Sequence, residues 1–458
     1  MDSIKKVVDH IKGNTAEFLP DNIISFLCRD LGLSFRKRQF TPAVTTHLFL
    51  RQILEGNTPV GNLRQIAGRS FAESSYCDAR QRLPLVFFLR LERSVVRHCI
   101  TNLDNDHDAL WLGRHRVFFL DGSSFSMPDT PELREEFGYP SGQAEGCGFP
   151  TAHLLVQFEA STGYLVRALA SPRNTHDLAH AAFTHQGLKA SDVVGGDCAF
   201  CSYAHLASLD KRRIFGLFCA HQRTIISFRP HRPYRLPGSK TNGKKGVPTS
   251  RWIKRLGRED QLVEYFKPKQ CPAWMTQKEY DALPPSLRVR ELRVRVRIPG
   301  CRVKVVTLVT TLLDPKRYPK EVLARLYESR WGVEVNIRHL KQTMEMDVLR
   351  CETRKGVLKE LSMFVVAYNL VRRVMREAAQ RQRVHPNRIS FVDALRWLCE
   401  AKKGEKVPRL KVNPHRPNRV EPRVKKRRPK KFKLMNKPRA VLRAALLNES
   451  AAPPEDAP

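Results

Sequence analysis

Apolar residues recur at helical spacing through the first hundred residues. The pattern predicts helices over residues 23–31, 43–54 and 85–100. Thr41 would cap the second of these helices, and Pro42 would be its first residue. We therefore assign residues 1–105 to a helical N-terminal domain.

The pattern changes to short apolar runs from about residue 115. Residues 117–120 form a wholly apolar run that ends in Asp121-Gly122, which is typical of a buried strand. Residues 154–159 and 164–170 predict a hairpin, and Asn174-Thr175 would cap a helix over 176–188. A strand over 193–196 then leads to Asp197, followed by a helix over 203–209 and a strand over 214–219. This is the element order of the ribonuclease-H-like fold, which needs one further helix carrying a third acid.

The chain postpones that helix by about a hundred residues. Residues 292–298 alternate strictly and place Arg293, Arg295 and Arg297 on one face. We predict a basic antiparallel β-strand insertion over 222–318. The other interpretation is an ordinary solvated face, but such a face normally mixes both signs of charge.

Two long helices are predicted after the insertion, over 319–346 and over 357–382. The C-terminal region, residues 383–458, contains a tail over 402–439 with six prolines and few aromatic residues, which we expect to be disordered until it meets a partner. The expected fold class is α/β. A ribonuclease-H-like core (115–221 and 319–382) would be interrupted by the β-rich insertion and flanked by the helical N-terminal domain and by C-terminal helices with a basic tail.

Charge identifies the class of partner. The net charge is +36, of which residues 402–440 and residues 222–306 supply +15 each. Two basic segments on a nearly balanced body indicate a polyanion, with nucleic acid as the leading candidate. The N-terminal domain could then recognise DNA ends, which Arg36-Lys37-Arg38 and Arg64 favour, or only support the core.

Neither a spanning apolar stretch nor a secretory signal is evident, so we expect a soluble intracellular protein. The eleven cysteines form no disulfide framework. The single C-x-x-C, Cys198 to Cys201, is either a zinc or redox pair or two buried thiols.

A polar stripe on the helix after the insertion carries candidate chemistry. Tyr327, Arg330, Glu334 and Lys341 are spaced 3, 4 and 7 residues apart and would share one helical face. Such a stripe alone is often only a solvated charged face. Together, Asp121, Asp197 and Glu334 could hold two Mg²⁺ ions for phosphoryl transfer, while Tyr327, Arg330 and Lys341 grip phosphates beside the cut.

Five motifs in this order resemble a known family. They are Asp121-Gly122-Ser123-Ser124, Gly196-Asp197, Phe200-Cys201-Ser202-Tyr203, the helix Y-x2-R-x3-E-x6-K, and Ala367-Tyr368-Asn369-Leu370. Over residues 115–375 the chain is similar to the DDE transposases of bacterial insertion sequences, specifically the insertion-sequence-four group.

The resemblance implies a catalytic and metal-binding triad of Asp121, Asp197 and Glu334, with Mg²⁺ as cofactor and Mn²⁺ able to substitute. It implies cleavage at terminal inverted repeats and strand transfer into target DNA by a homodimer in the synaptic complex. The protein would be cytoplasmic and nucleoid-associated in a bacterium, with no membrane contact. In family members that use a DNA hairpin, an aromatic residue of the insertion holds a flipped base. Trp252 and Trp274 are available for that role, or are packed core residues.

Two rival functions remain open from the sequence: a ribonuclease-H-like nuclease without joining activity, and a non-catalytic DNA-binding regulator. Other motifs are weaker. Ser123 and Ser124 lack the G-x-S-x-G of a hydrolase, and residues 138–148 lack the Lys-Ser/Thr of a phosphate loop. His176-Asp177 is either a helix start or part of a site near the triad.

Overall fold

A computed structural model describes residues 19–35, 39–68, 70–101, 103, 109–140, 146–237, 246–296, 304–402, 404–414 and 435–451. The helices are α1 (Asp21–Asp30), α2 (Pro42–Leu54), α3 (Leu63–Ile66), α4 (Glu73–Arg82), α5 (Leu85–Thr101), α6 (Pro131–Phe137), α7 (Ala181–Thr184), α8 (Tyr203–Lys211), α9 (Gln277–Asp281), α10 (Lys320–Glu328), α11 (Trp331–Arg338), α12 (Arg354–Gln382), α13 (Phe391–Glu400) and α14 (Arg439–Ala451). The strands are β1 (Val117–Ser126), β2 (Thr151–Glu159), β3 (Leu165–Pro172), β4 (Val193–Gly196), β5 (Phe215–Cys219), β6 (Ser250–Gly257), β7 (Asp260–Phe266), β8 (Ser286–Val296) and β9 (Lys304–Thr310). The protein is a mixed α/β structure.

Within the described residues, nine strands form one sheet in the order β3-β2-β1-β4-β5-β9-β8-β7-β6. The pairs β1–β4 and β4–β5 are parallel, and the other pairs are antiparallel. The insertion is rich in antiparallel strands, as predicted. Its strands do not form a separate sheet, because β9 pairs with β5 and extends the sheet of the core.

Strand alternation divides the core between the two faces of this sheet. Phe119, Val193 and Leu217 pack with residues of α10 and α12 on the first face. Leu120 and Val194 pack with Leu206 of α8 on the second face. Adjacent residues of a strand therefore point to opposite faces of the sheet, which decides where each polar group of the site points.

The prediction of one continuous helix over residues 319–346 is wrong. The chain instead forms α10, a tight junction at Ser329 and Arg330, α11, and a π-helical turn (His339–Thr343). At the junction the Ser329 hydroxyl donates to the Leu326 carbonyl (2.6 Å), and backbone bonds close over three residues. A serine that bonds back to its own helix competes with the regular ladder and bends it.

The helix predicted over 176–188 is also wrong. A 3₁₀ turn (Asp177–Ala179) and the four-residue α7 occupy part of this segment. The His176 ring accepts from the Leu178 backbone N–H (3.1 Å), and the Asp177 side chain bonds to β2. These side-chain bonds fix the segment as turns.

The prediction that the tail over residues 402–439 is disordered is wrong for the first residues of the tail. Val407 and Leu410 are buried, and the Lys411 backbone N–H donates to Asp393 of α13 (2.7 Å), so residues 404–414 pack on the body. Residues 415–434 lie outside the described part of the chain, as do Arg36-Lys37-Arg38. Among the described helices none, including the 29-residue α12, is apolar enough to cross a membrane.

Candidate active site

Asp121 and Asp197 lie at the same level of two parallel strands. Phe119 of β1 is paired with Gly195 of β4, so two further residues along each strand bring the two aspartates side by side on the first face. A Cβ at Gly195 would lie 2.6 Å from the Phe119 ring, so the glycine is needed for this close packing. β1 continues to Ser126, five residues beyond Asp121, so Asp121 lies where the parallel partner β4 stops and not, as predicted, at the end of its own strand.

The backbone around each aspartate orients its carboxylate. The Oδ1 atom of Asp197 accepts from the Ala199 N–H (2.8 Å) and caps the 3₁₀ turn Cys198–Phe200. The Oδ1 atom of Asp121 accepts from the Gly122 N–H (2.9 Å). One oxygen of each carboxylate is thus held by the backbone of the segment that follows it.

Arg330 joins the third acid to this pair. Its Nη1 atom lies 3.5 Å from Asp121 Oδ2, and its Nη2 atom lies 3.2 Å from Glu334 Oε1. The junction between α10 and α11 puts the guanidinium beside Asp121 in β1 and near Asp197 after β4, where it is 17% exposed. Burial would lower the pKa of Arg330, but Tyr327 and the three carboxylates raise it above its ordinary value.

The electrostatics of Asp121 reflect this crowding. Burial raises its pKa from the ordinary value of 3.8 to about 6, and the negative charges of Asp197 and Glu334 add to the effect, although Arg330 and the Gly122 N–H lower it. Asp121 is 18% exposed and Glu334 is 40% exposed. Like charges are therefore gathered at one sheet edge and only partly compensated, which is costly unless a further cation joins them.

The donor chemistry of this edge fits a divalent cation. Three carboxylates are the oxygen ligands that hard cations prefer. In this conformation, however, no three Asp, Glu, His or Cys side chains of the described residues lie close enough to share one ion. The guanidinium of Arg330 lies between Asp121 and Glu334 and serves as the local positive charge.

The other two stripe residues are placed differently. Tyr327 is 8% exposed, and its hydroxyl donates to the thiol of Cys219 at the end of β5. Lys341 lies in the π-helical turn, half-buried, where burial lowers its pKa and the nearby Asp347 raises it. The helix break therefore separates the predicted stripe into a buried phenol, a cation among the carboxylates and a second cation further along.

The arginine-bearing strand β8 lies at this edge of the sheet but projects its arginines away from the carboxylates. Val294 and Val296 are buried on the first face, so Arg293 and Arg295 point from the second. Arg293 pairs with Glu259 (2.8 Å) and lies over the Phe228 ring (5.1 Å), and Arg295 is exposed. Arg297 lies outside the described residues.

The two tryptophans pack against neighbouring side chains, and the thiols of the C-x-x-C motif are affected by burial. Trp252 contacts the His231 ring (4.4 Å between centroids), and its Nε1 atom is buried without a hydrogen-bond partner. Trp274 packs against the core of the second face. Burial raises the pKa of the Cys198 and Cys201 thiols, so both are held in the protonated form.

One polar pair at this edge was missed by sequence reasoning. His153 of β2 and Asp177 are bonded at 2.6 Å directly behind Gly122. The two residues are 24 positions apart, and only the His176-Asp177 dipeptide drew notice in the sequence. The glycine after Asp121 was the available signal, since a residue without a side chain implies a close neighbour.

Comparisons with known proteins identify the family. Residues 112–370 match the family model of the transposase DDE domain. The chain is 25% identical over 449 residues to the transposase InsG for insertion sequence element IS4 of Escherichia coli (strain K12), covering 91% of this chain and 92% of that protein. The cryo-EM structure of the piggyBac transposase synaptic complex with hairpin DNA aligns with a TM-score of 0.41 and 12% identity, over 84% of this chain and 78% of that chain. The chain therefore belongs to the DDE transposases of the insertion-sequence-four type, enzymes that depend on divalent metal ions to cleave DNA and transfer its strands.

Proposed function

We propose that this transposase moves its element by cut-and-paste transposition, with Asp121, Asp197 and Glu334 as the catalytic triad of a ribonuclease-H-like core. The observation that carries the proposal is the convergence of the three carboxylates on Arg330 at one sheet edge. The strand order β3-β2-β1-β4-β5 supports the assignment of the core. Asp197 directly follows β4, and Asp121 lies in β1 just beyond the residues that pair with β4.

Two Mg²⁺ ions, or Mn²⁺ in their place, would be held by these three carboxylates. When bound, the ions supply activation of the attacking oxygen and stabilisation of the leaving oxygen in phosphoryl transfer. The chain's part is to present ionised carboxylates. Because the pKa of Asp121 is about 6, most molecules carry the ionised carboxylate only above that pH, and activity should rise as the pH increases through 6.

Arg330 has a separate task in this proposal. Its guanidinium compensates the carboxylates in the metal-free protein and is free to turn to a DNA phosphate when metal ions take over that role. Lys341 would contact a second phosphate. Tyr327 would position Arg330 without contacting DNA, since its buried hydroxyl holds α10 on the end of β5.

The remaining segments would hold DNA further from the cut. Arg293 and Arg295 would contact DNA that passes the second face, and residues 415–434, with ten lysines and arginines against one acid, would add sequence-independent affinity. The N-terminal helices would recognise the element's ends. Arg80 of α4 stacks on Phe49 (3.7 Å) and bonds to Cys351 (3.0 Å), which would tie that domain to the core.

Joining two ends requires a catalytic site at each, so we propose a homodimer in the synaptic complex. By its likeness to a bacterial relative, the enzyme would act in the cytoplasm on nucleoid DNA. The test separates a transposase from a nuclease that does not join. Pre-cleaved end duplexes are incubated with supercoiled plasmid and Mg²⁺.

Single-end and double-end insertion products are expected from the unmodified protein and none from Glu334→Ala. Asp210→Ala, at an exposed acid of α8, is the control and should retain insertion. Cleavage of plasmid ends without any joined product would favour the nuclease, and end binding without cleavage would favour the non-catalytic regulator.

A further inference from the structure

A line of polar side chains runs on the second face of the sheet from β3 through β2 to the 3₁₀ turn behind β1. The Ser171 hydroxyl of β3 lies 3.4 Å from His153 Nδ1, and His153 Nε2 lies 2.6 Å from Asp177 Oδ1. His153 is 10% exposed and Asp177 is 28% exposed. A histidine–carboxylate pair this close and this enclosed holds both side chains in fixed orientations.

The pair lies directly behind the strand segment that carries Asp121. His153 is opposite Ser124 in the β1–β2 ladder, two residues from Gly122. A Cβ placed on Gly122 would lie 2.6 Å from Asp177 Oδ1 and 3.4 Å from His153 Nε2. The Asp177 carboxylate therefore fills the volume that a side chain at position 122 would take. The side chain of the preceding residue, Asp121, points to the opposite face of the sheet.

Asp177 also lies close to the second catalytic segment. It is the first residue of the 3₁₀ turn Asp177–Ala179, and this turn contacts the 3₁₀ turn Cys198–Phe200, which Asp197 caps. The turn that begins at Asp177 thus lies beside both the backbone that presents Asp121 and the backbone that follows Asp197.

The geometry excludes a nucleophilic role for the line. Ser171 is 3% exposed, so no substrate reaches its hydroxyl. The charges that act on Asp121 come from Arg330, Asp197 and Glu334 on the first face. The pair on the second face meets the segment that carries Asp121 at the backbone of Gly122.

We propose that Asp177, held by His153, is a positioning residue for transposition, which fixes the β1 backbone at Gly122 and the turn that follows Asp197 so that Asp121 and Asp197 meet at metal-binding distance. The inference rests on the proposed triad. Groups behind a metal ligand typically change metal affinity or activity 10- to 100-fold when they are removed.

Asp177→Ala, His153→Gln and Asp177→Asn are compared for three properties: end binding by gel shift, Mg²⁺-dependent cleavage, and the rise of the thermal midpoint with added Mg²⁺ in the absence of DNA. For Asp177→Ala and His153→Gln, we expect unchanged end binding, a roughly 10- to 100-fold loss of cleavage and a higher Mg²⁺ concentration for the thermal shift. Mn²⁺ should restore part of the cleavage, because Mg²⁺ demands nearly ideal octahedral geometry. Asp177→Asn, which keeps the volume and an acceptor oxygen for His153, should stay within a few-fold of the unmodified protein. Asp210→Ala is the matched control.

Gly122→Ala tests the contact itself, even if Asp177→Ala folds poorly. In the unmodified background the added methyl clashes with Asp177, so cleavage should fall. In the Asp177→Ala background the clash is gone, so the same change should cost several-fold less. Equal costs in the two backgrounds, or cleavage and Mg²⁺ response of Asp177→Ala within twofold of the unmodified protein, would overturn the inference. Full activity of Asp121→Ala would instead overturn the proposed triad.

Discussion

Replacement of Asp121 by asparagine is expected to stabilise the metal-free protein while it removes activity. Burial and the neighbouring carboxylates raise the pKa of Asp121 from 3.8 to about 6. At 1.36 kcal/mol per pKa unit, keeping Asp121 ionised costs the native state about 3 kcal/mol relative to the unfolded chain. Asparagine keeps the shape without the charge, so the free energy of unfolding should rise by up to about 3 kcal/mol at pH 8.

The pH dependence follows from where each state releases its proton. The native state binds the Asp121 proton up to about pH 6, and the unfolded chain releases it near pH 3.8. The stabilising effect of that proton is complete below pH 3.8 and is lost as the pH rises through 6. The advantage of Asp121→Asn should therefore be small at pH 4 and full at pH 8.

Urea midpoints in EDTA at pH 4, 6 and 8 measure this effect, with Asp281→Asn at an exposed acid of α9 as the control. Added Mg²⁺ should narrow the difference at pH 8, because it stabilises only the protein that retains the Asp121 carboxylate. Equal midpoints for Asp121→Asn and the unmodified protein at pH 8, or a difference that does not change with pH, would refute the crowding of charge at this edge.

The remaining predictions concern DNA affinity. Arg330→Ala and Lys341→Ala should each reduce the slope of log affinity against log salt for end binding by about 1, since each loses one phosphate contact, and Lys341→Arg should restore the slope. Unchanged slopes for both alanine variants would show that these two residues belong to an ordinary charged surface. Arg330→Ala should also move the pH optimum of cleavage upward, because Arg330 lowers the pKa of Asp121. Arg293→Ala with Arg295→Ala should weaken DNA binding in gel shifts while pre-bound ends are cleaved within a few-fold of the normal rate; a selective loss of cleavage would show that these arginines reach the triad. Deletion of 415–434 should weaken binding to specific and non-specific duplexes equally at moderate salt, and a loss confined to the element's ends would contradict a purely electrostatic role.

The strands and their acids could be predicted from local pattern. Short apolar runs that end in Asp-Gly or Gly-Gly-Asp mark buried strands whose carboxylates emerge at one edge, and the order of these runs indicated which strands are neighbours. The alternation in 292–296 likewise predicted a strand with its arginines on one face. It could not predict which side of the sheet that face would take, because that depends on how β9 and β8 join β5.

Two features of the site were beyond prediction from apolar spacing. The break at Ser329 combines a hydroxyl bond to the Leu326 carbonyl with backbone bonds that close over three residues. It brings Arg330 between Asp121 and Glu334. The turn at Asp177 forms because its carboxylate bonds to His153, a partner that no spacing rule connects to it. The turn at Asp177 is a tertiary effect that overrides helical propensity, whereas the break at Ser329 is a local competition for backbone carbonyls that apolar spacing does not show.

Side-by-side measurement of cleavage and end binding in Asp121→Ala, Asp197→Ala and Glu334→Ala tests whether these three carboxylates form the catalytic triad. Labelled element-end duplexes are followed by gel shift without metal and by strand nicking in Mg²⁺ and in Mn²⁺. Each variant should bind ends within a few-fold of the unmodified protein and produce no nicked strand in Mg²⁺, because each lacks a metal ligand and keeps the phosphate contacts. Nicking in Mg²⁺ by any one of the three would remove that residue from the triad.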